Sequence, residues 1–152
     1  MSLDHFLEDL WNFYTDFNPE VKKIFSCFFD GDETVINDHI AFRTWNAKGV
    51  ELERLAEFFL AYGYEACGDY QFPGKKLRAK HYEYPGPTYP KIFISELQTD
   101  QCSEFLQKTL ADCYLAIHDS IDSDESMLCM GRCWDAIHYK TYSELLNESE
   151  YA

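Results

Sequence analysis

The stretch "NDHIAFRTW", residues 37–45, is typical of a buried β-strand except for a histidine and an arginine four residues apart. Successive side chains of a strand point to opposite faces of the sheet. Ile40 and Phe42 then share an apolar face, while His39 and Arg43 share the other face. An imidazole and a guanidinium on one strand face need an explanation, because both groups are costly to bury without partners.

His39 and Arg43 would lie about 13 Å apart at Cα along such a strand, and both side chains can lean towards a shared pocket. A neutral imidazole is a ligand for divalent transition metals, and a guanidinium binds a carboxylate through two parallel hydrogen bonds. The pair therefore predicts a site for a metal-chelating organic acid, held by the metal at one end and by Arg43 at the other. The same pattern is also typical of a structural histidine and of an arginine that pairs with one of the chain's many acidic residues.

The segments around this strand switch between the helical and the extended periodicity. They predict an α+β fold in one domain, 1–152, in which a βαβββ module forms a mixed sheet with a helix on one face. Helical flanks are expected at 1–30 and 99–152, and a capping box formed by Thr141 and Glu144 predicts the start of the last helix. The predicted elements are helices 3–17, 19–28, 50–62 and about 99–116, and, within the module at 35–97, strands 35–45, 64–72, 77–84 and 91–97.

A second strand, "KIFISEL" at 91–97, places Ile92, Ile94 and Glu96 on one face. A carboxylate on an apolar face is costly to bury unless it is paired or bound to a metal. If this strand neighbours strand 35–45, His39 and Glu96 would line one concave face, and Glu96 becomes a second candidate metal ligand. The alternative is that Glu96 lies at a solvent-exposed strand end.

Composition excludes several classes of function. The chain has 13 Lys and Arg against 27 Asp and Glu, a net charge of −14, which argues against nucleic acid and anionic membranes as partners. The main basic cluster, "KKLRAK" at 75–80, is long enough to attract only a small anion. The first residues lack the pattern of a signal peptide, and the six cysteines form no CxxC pair, so we expect reduced thiols and a cytoplasmic protein.

"NDHIAFRTW", the βαβββ order that follows it and "YPKIFISEL" at 89–97 together resemble the 2-oxoadipate dioxygenase/decarboxylase family. That family belongs to the vicinal oxygen chelate, or glyoxalase-like, superfamily. The resemblance covers roughly residues 1–150. It implies Fe(II), or another divalent metal, as cofactor, and a 2-oxo acid with O2 as substrates. By position it assigns His39 as a metal ligand, Arg43 as the substrate-carboxylate arginine, and Glu96 as the acidic residue of the last strand.

The family normally uses two βαβββ modules, and the second carries another histidine, in an "NHxT"-like stretch, and the ligating carboxylate. The sequence contains no such stretch. We therefore expect either one half of the family's architecture or a module that completes its site by pairing, as in a homodimer. Three functions stay open: a dioxygenase/decarboxylase acting on a 2-oxo dicarboxylic acid, a non-catalytic remnant or binding module, and a glyoxalase or hydrolase using zinc or nickel.

Overall fold

The computed structural model describes residues 2–28, 37–117, 128–129, 131 and 134–152. The chain divides into two compact units, residues 1–36 with 122–131 and residues 37–121 with 132–152. The strands of the described residues all belong to the second unit. In the described part of the chain, no helix combines the length and the apolar character needed to cross a membrane.

The described residues of the first unit form two helices, α1 (Leu3–Phe17) and α2 (Pro19–Phe28), with the bounds that the sequence predicts. The hydroxyl of Ser2 caps α1. Proline is favoured at the first position of a helix because its fixed φ suits that position and its missing N–H would have no partner there, so Pro19 starts α2 directly after α1 ends.

In the second unit, the described residues form the βαβββ module and two further helices. Within the module, the strand and helix bounds agree with the sequence prediction to within a few residues, although residues 35–36 lie outside the described residues and 37–38 precede the first strand. The elements are β1 (His39–Trp45), α3 (Leu52–Ala61), β2 (Glu65–Phe72), β3 (Leu77–Glu83), β4 (Lys91–Leu97), α4 (Glu104–Ile117) and α5 (Tyr139–Glu148).

The four strands form one mixed sheet in the order β1-β4-β3-β2. β1 runs parallel to β4, whereas β4, β3 and β2 are joined as successive antiparallel neighbours. This arrangement confirms the predicted α+β module with a mixed sheet. It also leaves β1 at one edge of the described sheet, with β4 as its neighbour.

α3 covers one face of the sheet, as the sequence predicts. Its Phe59 is fully buried and its ring lies 5.5 Å from that of Phe42 on β1. Ile92 and Ile94 of β4 are fully buried on the same face. Fully burying Phe59, Ile92 and Ile94 contributes roughly 1.5–3 kcal/mol each, so this layer stabilises the module.

The sheet face opposite α3, here called the site face, is covered at one end and open at the other. At the covered end a leucine core packs with Trp45, and this core contains Leu77, Leu97, Leu106, Leu110 and Leu145. The open end carries the exposed side chains of the first half of β1. The helices that follow the module therefore leave part of this face accessible.

Two predicted helix starts differ from the structure. The expected helix at 99–116 begins with a 3-10 turn, Thr99–Gln101, and α4 starts only at Glu104 because the hydroxyl of Ser103 accepts a hydrogen bond from the backbone N–H of Leu106 at 3.2 Å. The predicted capping box is wrong, since α5 begins two residues before Thr141. Glu144 instead approaches Lys140, one turn earlier, at 3.9 Å.

Candidate functional site

His39 and Arg43 lie on the site face, and both residues are exposed. The parallel register with β4 sets His39 opposite Lys91 and Arg43 opposite Ser95. Because registered partners in neighbouring strands point to the same side of a sheet, the site face continues across β4 through these residues. The structure thus places the imidazole and the guanidinium on one surface that α3 does not touch.

The imidazole of His39 is oriented by its neighbour Asp38. Its Nδ1 lies 3.0 Å from Oδ2 of Asp38, and the His39 side chain is 59% exposed. A carboxylate only accepts hydrogen bonds, so Nδ1 carries the proton in this contact and the lone pair of the neutral ring lies on Nε2. A histidine held by a carboxylate in this way is a common arrangement in metal sites.

The guanidinium of Arg43 lies over the ring of Tyr151, with Cζ 4.5 Å from the ring centroid. Within the described ranges of the chain, no carboxylate forms an ion pair with it. The contact with the ring covers one face of the guanidinium and leaves its edges, which carry the N–H donors, for another partner. Arg43 therefore has the donors that a carboxylate ligand needs.

Glu96 does not lie beside His39. The register aligns Glu96 with Thr44, five residues after His39, so the two side chains point to opposite faces of the sheet. The prediction that His39 and Glu96 line one concave face is wrong for this reason. The alternative of a solvent-exposed strand end is also wrong, because Glu96 is fully buried beneath α3.

The buried carboxylate of Glu96 is saturated with hydrogen bonds. Oε1 accepts from Nε of Arg78 at 2.6 Å and from Nε2 of Gln98 at 2.7 Å, and Oε2 accepts from the backbone N–H of Leu52 at 2.7 Å. Leu52 is the first residue of α3, and the side chain of the N-cap residue, Glu51, makes no capping hydrogen bond to the helix. Glu96 therefore caps α3 from β4, and its charge lies at the positive end of the helix dipole.

The basic cluster at 75–80 is neutralised by the chain's own acidic residues. Arg78 bonds Glu53 as well as Glu96, and the hydrogen bond from Arg78 is the main cause that lowers the pKa of Glu53. The hydrogen bonds that Arg78 donates to Glu96, and then to Glu53, raise the pKa of Arg78. The remaining ion pairs of the cluster are Lys75–Glu150, Lys76–Glu148 and Lys80–Glu53. Each of these cations already has a carboxylate partner, so the cluster is not an open anion site.

The site face also carries a tyrosine-histidine pair. The hydroxyl of Tyr70 lies 2.9 Å from Nδ1 of His81, and Nε2 of His81 lies 3.3 Å from Oε1 of Glu83. Since Glu83 can only accept, Nε2 carries the proton and Tyr70 donates to Nδ1. His81 could be noticed in the sequence as a polar residue on a strand near the basic cluster. Tyr70 could not, because a register shift between Ala66 and Gly68 decides which β2 residue meets His81.

The described residues do not assemble a complete metal centre. They contain no group of three or more His, Cys, Asp or Glu side chains that could hold one ion. His39 supplies one oriented imidazole, whereas a non-haem iron site uses two histidines and a carboxylate. These residues therefore fit a contribution to an iron site but not the whole of one.

The βαβββ order, the mixed sheet and the open site face define this protein as a glyoxalase-like α+β module. The chain belongs to the 2-oxoadipate dioxygenase/decarboxylase family, whose model matches residues 6–152. The family protein of Oryza sativa subsp. japonica, named as chloroplastic/amyloplastic, is 34% identical over 157 residues, and that of Arabidopsis thaliana, named as chloroplastic, is 32% identical over 153 residues. Each match covers 91% of this chain but only 42% and 41% of the relative, so the chain spans less than half of either protein.

Solved structures also match this chain over most of its length. A Shewanella frigidimarina protein described as a hydrolase matches with a TM-score of 0.86 at 39% identity, covering 97% of this chain and 57% of that one. The hydroxyglutarate synthase of Oryza sativa, solved in complex with 2-oxoadipate, matches with a TM-score of 0.84 at 30% identity, covering 97% and 51%. A Ralstonia eutropha protein described as a member of the glyoxalase superfamily matches with a TM-score of 0.59 at 16% identity, covering 76% and 46%, which supports the fold alone.

Proposed function

We propose that this chain supplies the substrate-binding face of an Fe(II)-dependent dioxygenase that decarboxylates a 2-oxo dicarboxylic acid such as 2-oxoadipate. The observation that carries the proposal is the exposed Arg43 guanidinium on the same sheet face as His39. The names of the plant relatives and the 2-oxoadipate complex of the rice enzyme support the choice of substrate. The overall conversion would be 2-oxoadipate and O2 to 2-hydroxyglutarate and CO2.

Arg43 would hold the carboxylate of the substrate that does not react. Its N–H edges match the two oxygens of a carboxylate, and a charge-assisted bidentate contact fixes both position and orientation. Holding the far end in this way would leave the 2-oxo acid end directed along β1 towards His39. The tyrosine contact would restrict the guanidinium to a small range of orientations before the substrate arrives.

His39 would contribute Nε2 to the iron, with Asp38 holding the opposite nitrogen. The 2-oxo acid would chelate the bound Fe(II), which would supply the redox chemistry that activates O2, while the electrons that reduce O2 would come from the substrate. Since the described residues provide one imidazole, we propose that the other ligands come from a second module or from a second copy of the chain. We also keep the predicted cytoplasmic location as part of this proposal, although the two plant relatives are named for plastids.

A second candidate, a binding module without catalytic activity, is favoured by one observation. The described part of the chain brings no three metal-ligating side chains together. Such a module would still bind a dicarboxylic acid through Arg43 but would need no metal. A glyoxalase-type or hydrolase-type enzyme that uses zinc or nickel would share the fold and would be separated from the first proposal by its metal and its substrate.

The test separates the roles of the two residues. Fe(II), under anaerobic conditions, and 2-oxoadipate are titrated separately into the wild type, His39→Ala, Arg43→Ala and the charge-retaining control Arg43→Lys. His39→Ala should lose metal binding. Arg43→Ala should keep the metal and bind 2-oxoadipate about tens- to a hundredfold more weakly, as expected when about 2–3 kcal/mol of a charged hydrogen bond is lost.

The affinity of Arg43→Lys for 2-oxoadipate should fall between those of the wild type and Arg43→Ala, because lysine keeps the charge but not the bidentate geometry. If Arg43→Ala lost the metal and His39→Ala kept it, the assigned roles would be wrong. If the wild type bound 2-oxoadipate through Arg43 but bound no metal in any oligomeric state, the binding-module candidate would replace the enzyme.

A further inference from the structure

Tyr151, whose ring contacts Arg43, lies far from it in sequence, in a turn directly after α5. The backbone N–H of Ser149 bonds the carbonyl of Leu145 at 2.9 Å, and that of Ala152 bonds the carbonyl of Ser149 at 3.3 Å. Tyr151 also donates its backbone N–H to the hydroxyl of Ser149 at 3.1 Å. The ring of Tyr151 packs against the leucine core, so both its backbone and its side chain are held in place.

Two cationic side chains, those of Arg43 and Lys75, lie over the ring of Tyr151. Cζ of Arg43 lies 4.5 Å from its centroid, and Nζ of Lys75 lies 5.4 Å from it. An arginine stacked on an aromatic ring keeps its planar edge available for hydrogen bonds, and the contact contributes roughly 0.5–1 kcal/mol at an exposed site. A ring that is itself fixed by the core therefore limits how far the guanidinium of Arg43 can rotate.

A competing carboxylate lies next to Tyr151. Glu150 pairs with Lys75, whose Nζ is 2.9 Å from Oε1. The hydrogen bond from Lys75 is the main cause that lowers the pKa of Glu150, and the charge of Arg43 makes a smaller contribution in the same direction. Glu150 is thus bonded to Lys75, whose ammonium lies over the same ring that contacts Arg43.

We propose that Tyr151 is a positioning residue for Arg43, stacking on the guanidinium so that its donor edge faces the site, while Lys75 keeps Glu150 from occupying that edge. This inference rests on the proposed function only in its consequence, since it is Arg43 that would bind the substrate carboxylate. What it predicts directly is that the side chain of Arg43 is held in one orientation, and this can be measured without substrate, metal or turnover.

The first experiment measures the order of Arg43 directly. The heteronuclear {1H}-15N NOE of its Nε–H group, assigned with Arg43→Lys, is compared in the wild type, Tyr151→Phe and Tyr151→Leu. Phenylalanine keeps the ring, so the NOE should match the wild type, whereas leucine should lower it towards the value of a mobile side chain. The indole N–H of Trp45, on the same strand and in the same core, is the internal reference and should not change.

The proposal fails if Tyr151→Leu leaves Arg43 as ordered as in the wild type, or if Tyr151→Phe disorders it as much as leucine does. It also fails if Arg43 and Trp45 lose order together, because Tyr151 would then stabilise the core in general rather than position the guanidinium. These results decide the positioning role even if the chain binds no 2-oxo acid.

The second experiment tests the role of Lys75 by titrating 2-oxoadipate. Lys75→Met should weaken binding about two- to fivefold, because Glu150 is released to pair with Arg43. The double variant Lys75→Met/Glu150→Gln should restore wild-type binding, and Glu150→Gln alone should leave binding unchanged. A general effect of net charge would instead make Glu150→Gln alone bind 2-oxoadipate more tightly. Failure of that rescue overturns the role given to Lys75. Absence of 2-oxoadipate binding in the wild type would overturn the proposed function, while the NOE contrast would still decide the role of Tyr151.

Discussion

Arg78 on β3 and Glu96 on β4 form an ion pair whose carboxylate is fully buried, with Nε 2.6 Å from Oε1. The same arginine reaches Glu53 on α3 with its other nitrogens. One guanidinium therefore ties a helix to two strands on the face opposite His39 and Arg43. The buried charge of Glu96 is tolerated because both carboxylate oxygens have hydrogen-bond partners. The same holds for every buried side-chain nitrogen and oxygen atom in the described residues.

Glu96→Gln should destabilise the protein by about 2–3 kcal/mol. It removes the charge that pairs with Arg78 and that caps α3, and it brings an amide N–H₂ group into a place where the neighbours are donors. The free energy of unfolding in urea is the measurement. The effect should be accompanied by weaker amide protection at Leu52, because that N–H loses its acceptor.

Glu53→Gln is the matched control for this prediction, since Glu53 bonds the same arginine from a half-exposed position. Exposed ion pairs contribute roughly 0–1 kcal/mol, so this variant should lose much less stability. Equal losses of unfolding free energy in the two variants would mean that burial of Glu96 has no special role. A Glu96→Gln variant as stable as the wild type would contradict the capping function.

Glu148 should make stability depend on pH. Its carboxylate, at the end of α5, accepts hydrogen bonds from the backbone and the hydroxyl of Ser103 at the start of α4, and these bonds lower its pKa below the ordinary 4.5. A folded-state pKa below the unfolded value means that the stabilisation is complete above about pH 4.5 and is lost as the pH falls through the folded pKa. Glu148→Gln should therefore lower the free energy of unfolding by about 1 kcal/mol at pH 7, and by much less at pH 3.

The control for the pH prediction is Glu104→Gln, which neutralises an exposed acid in the first turn of the same helix, α4. It should show a smaller dependence on pH, because only Glu148 bonds Ser103 in this way. A difference between wild type and Glu148→Gln that stays constant from pH 3 to pH 7 would rule out the ionised carboxylate as the cause.

Gly68→Ala should disturb the site face. A Cβ at this position would lie 2.6 Å from Nδ1 of His81 and 2.8 Å from the hydroxyl of Tyr70, which are the two atoms that share a hydrogen bond. We expect a net loss of about 1 kcal/mol, the value of that bond, together with shifted NMR signals of the His81 ring. Gly74→Ala is the control, because nothing lies within 4 Å of its added Cβ, and it should be close to neutral.

Iron should link two copies of the chain if pairing completes the metal centre. The expected result is a dimer that appears with Fe(II) and contains fewer irons than chains, because one module supplies too few ligands. Sedimentation velocity with metal analysis measures both quantities. The dimer should disappear in His39→Ala. A strictly monomeric chain that binds iron tightly would contradict the proposal that pairing completes the metal centre.

Local patterns in the sequence predicted the elements well but not their alignment. The bounds of β4 agree residue by residue with the expected strand 91–97. The face on which Glu96 lies could not be deduced, because the register of β1 against β4 is set by packing between segments far apart in the chain. The contact between Arg43 and Tyr151 has the same origin, since no short-range pattern links a strand with a turn more than one hundred residues later.

The parallel pairing of β1 with β4 also sets an order of events during folding. β2, β3 and β4 can form as successive local hairpins, whereas β1 must wait for the whole of α3, β2 and β3 before its partner exists. Closing such a long loop is entropically costly, and non-local pairing is slow. On the ribosome Ile40 and Phe42 would therefore stay unpaired longest, so the strand that carries His39 and Arg43 is also the segment of this module most in need of a chaperone. Pulse-labelled hydrogen exchange should find its amides protected last.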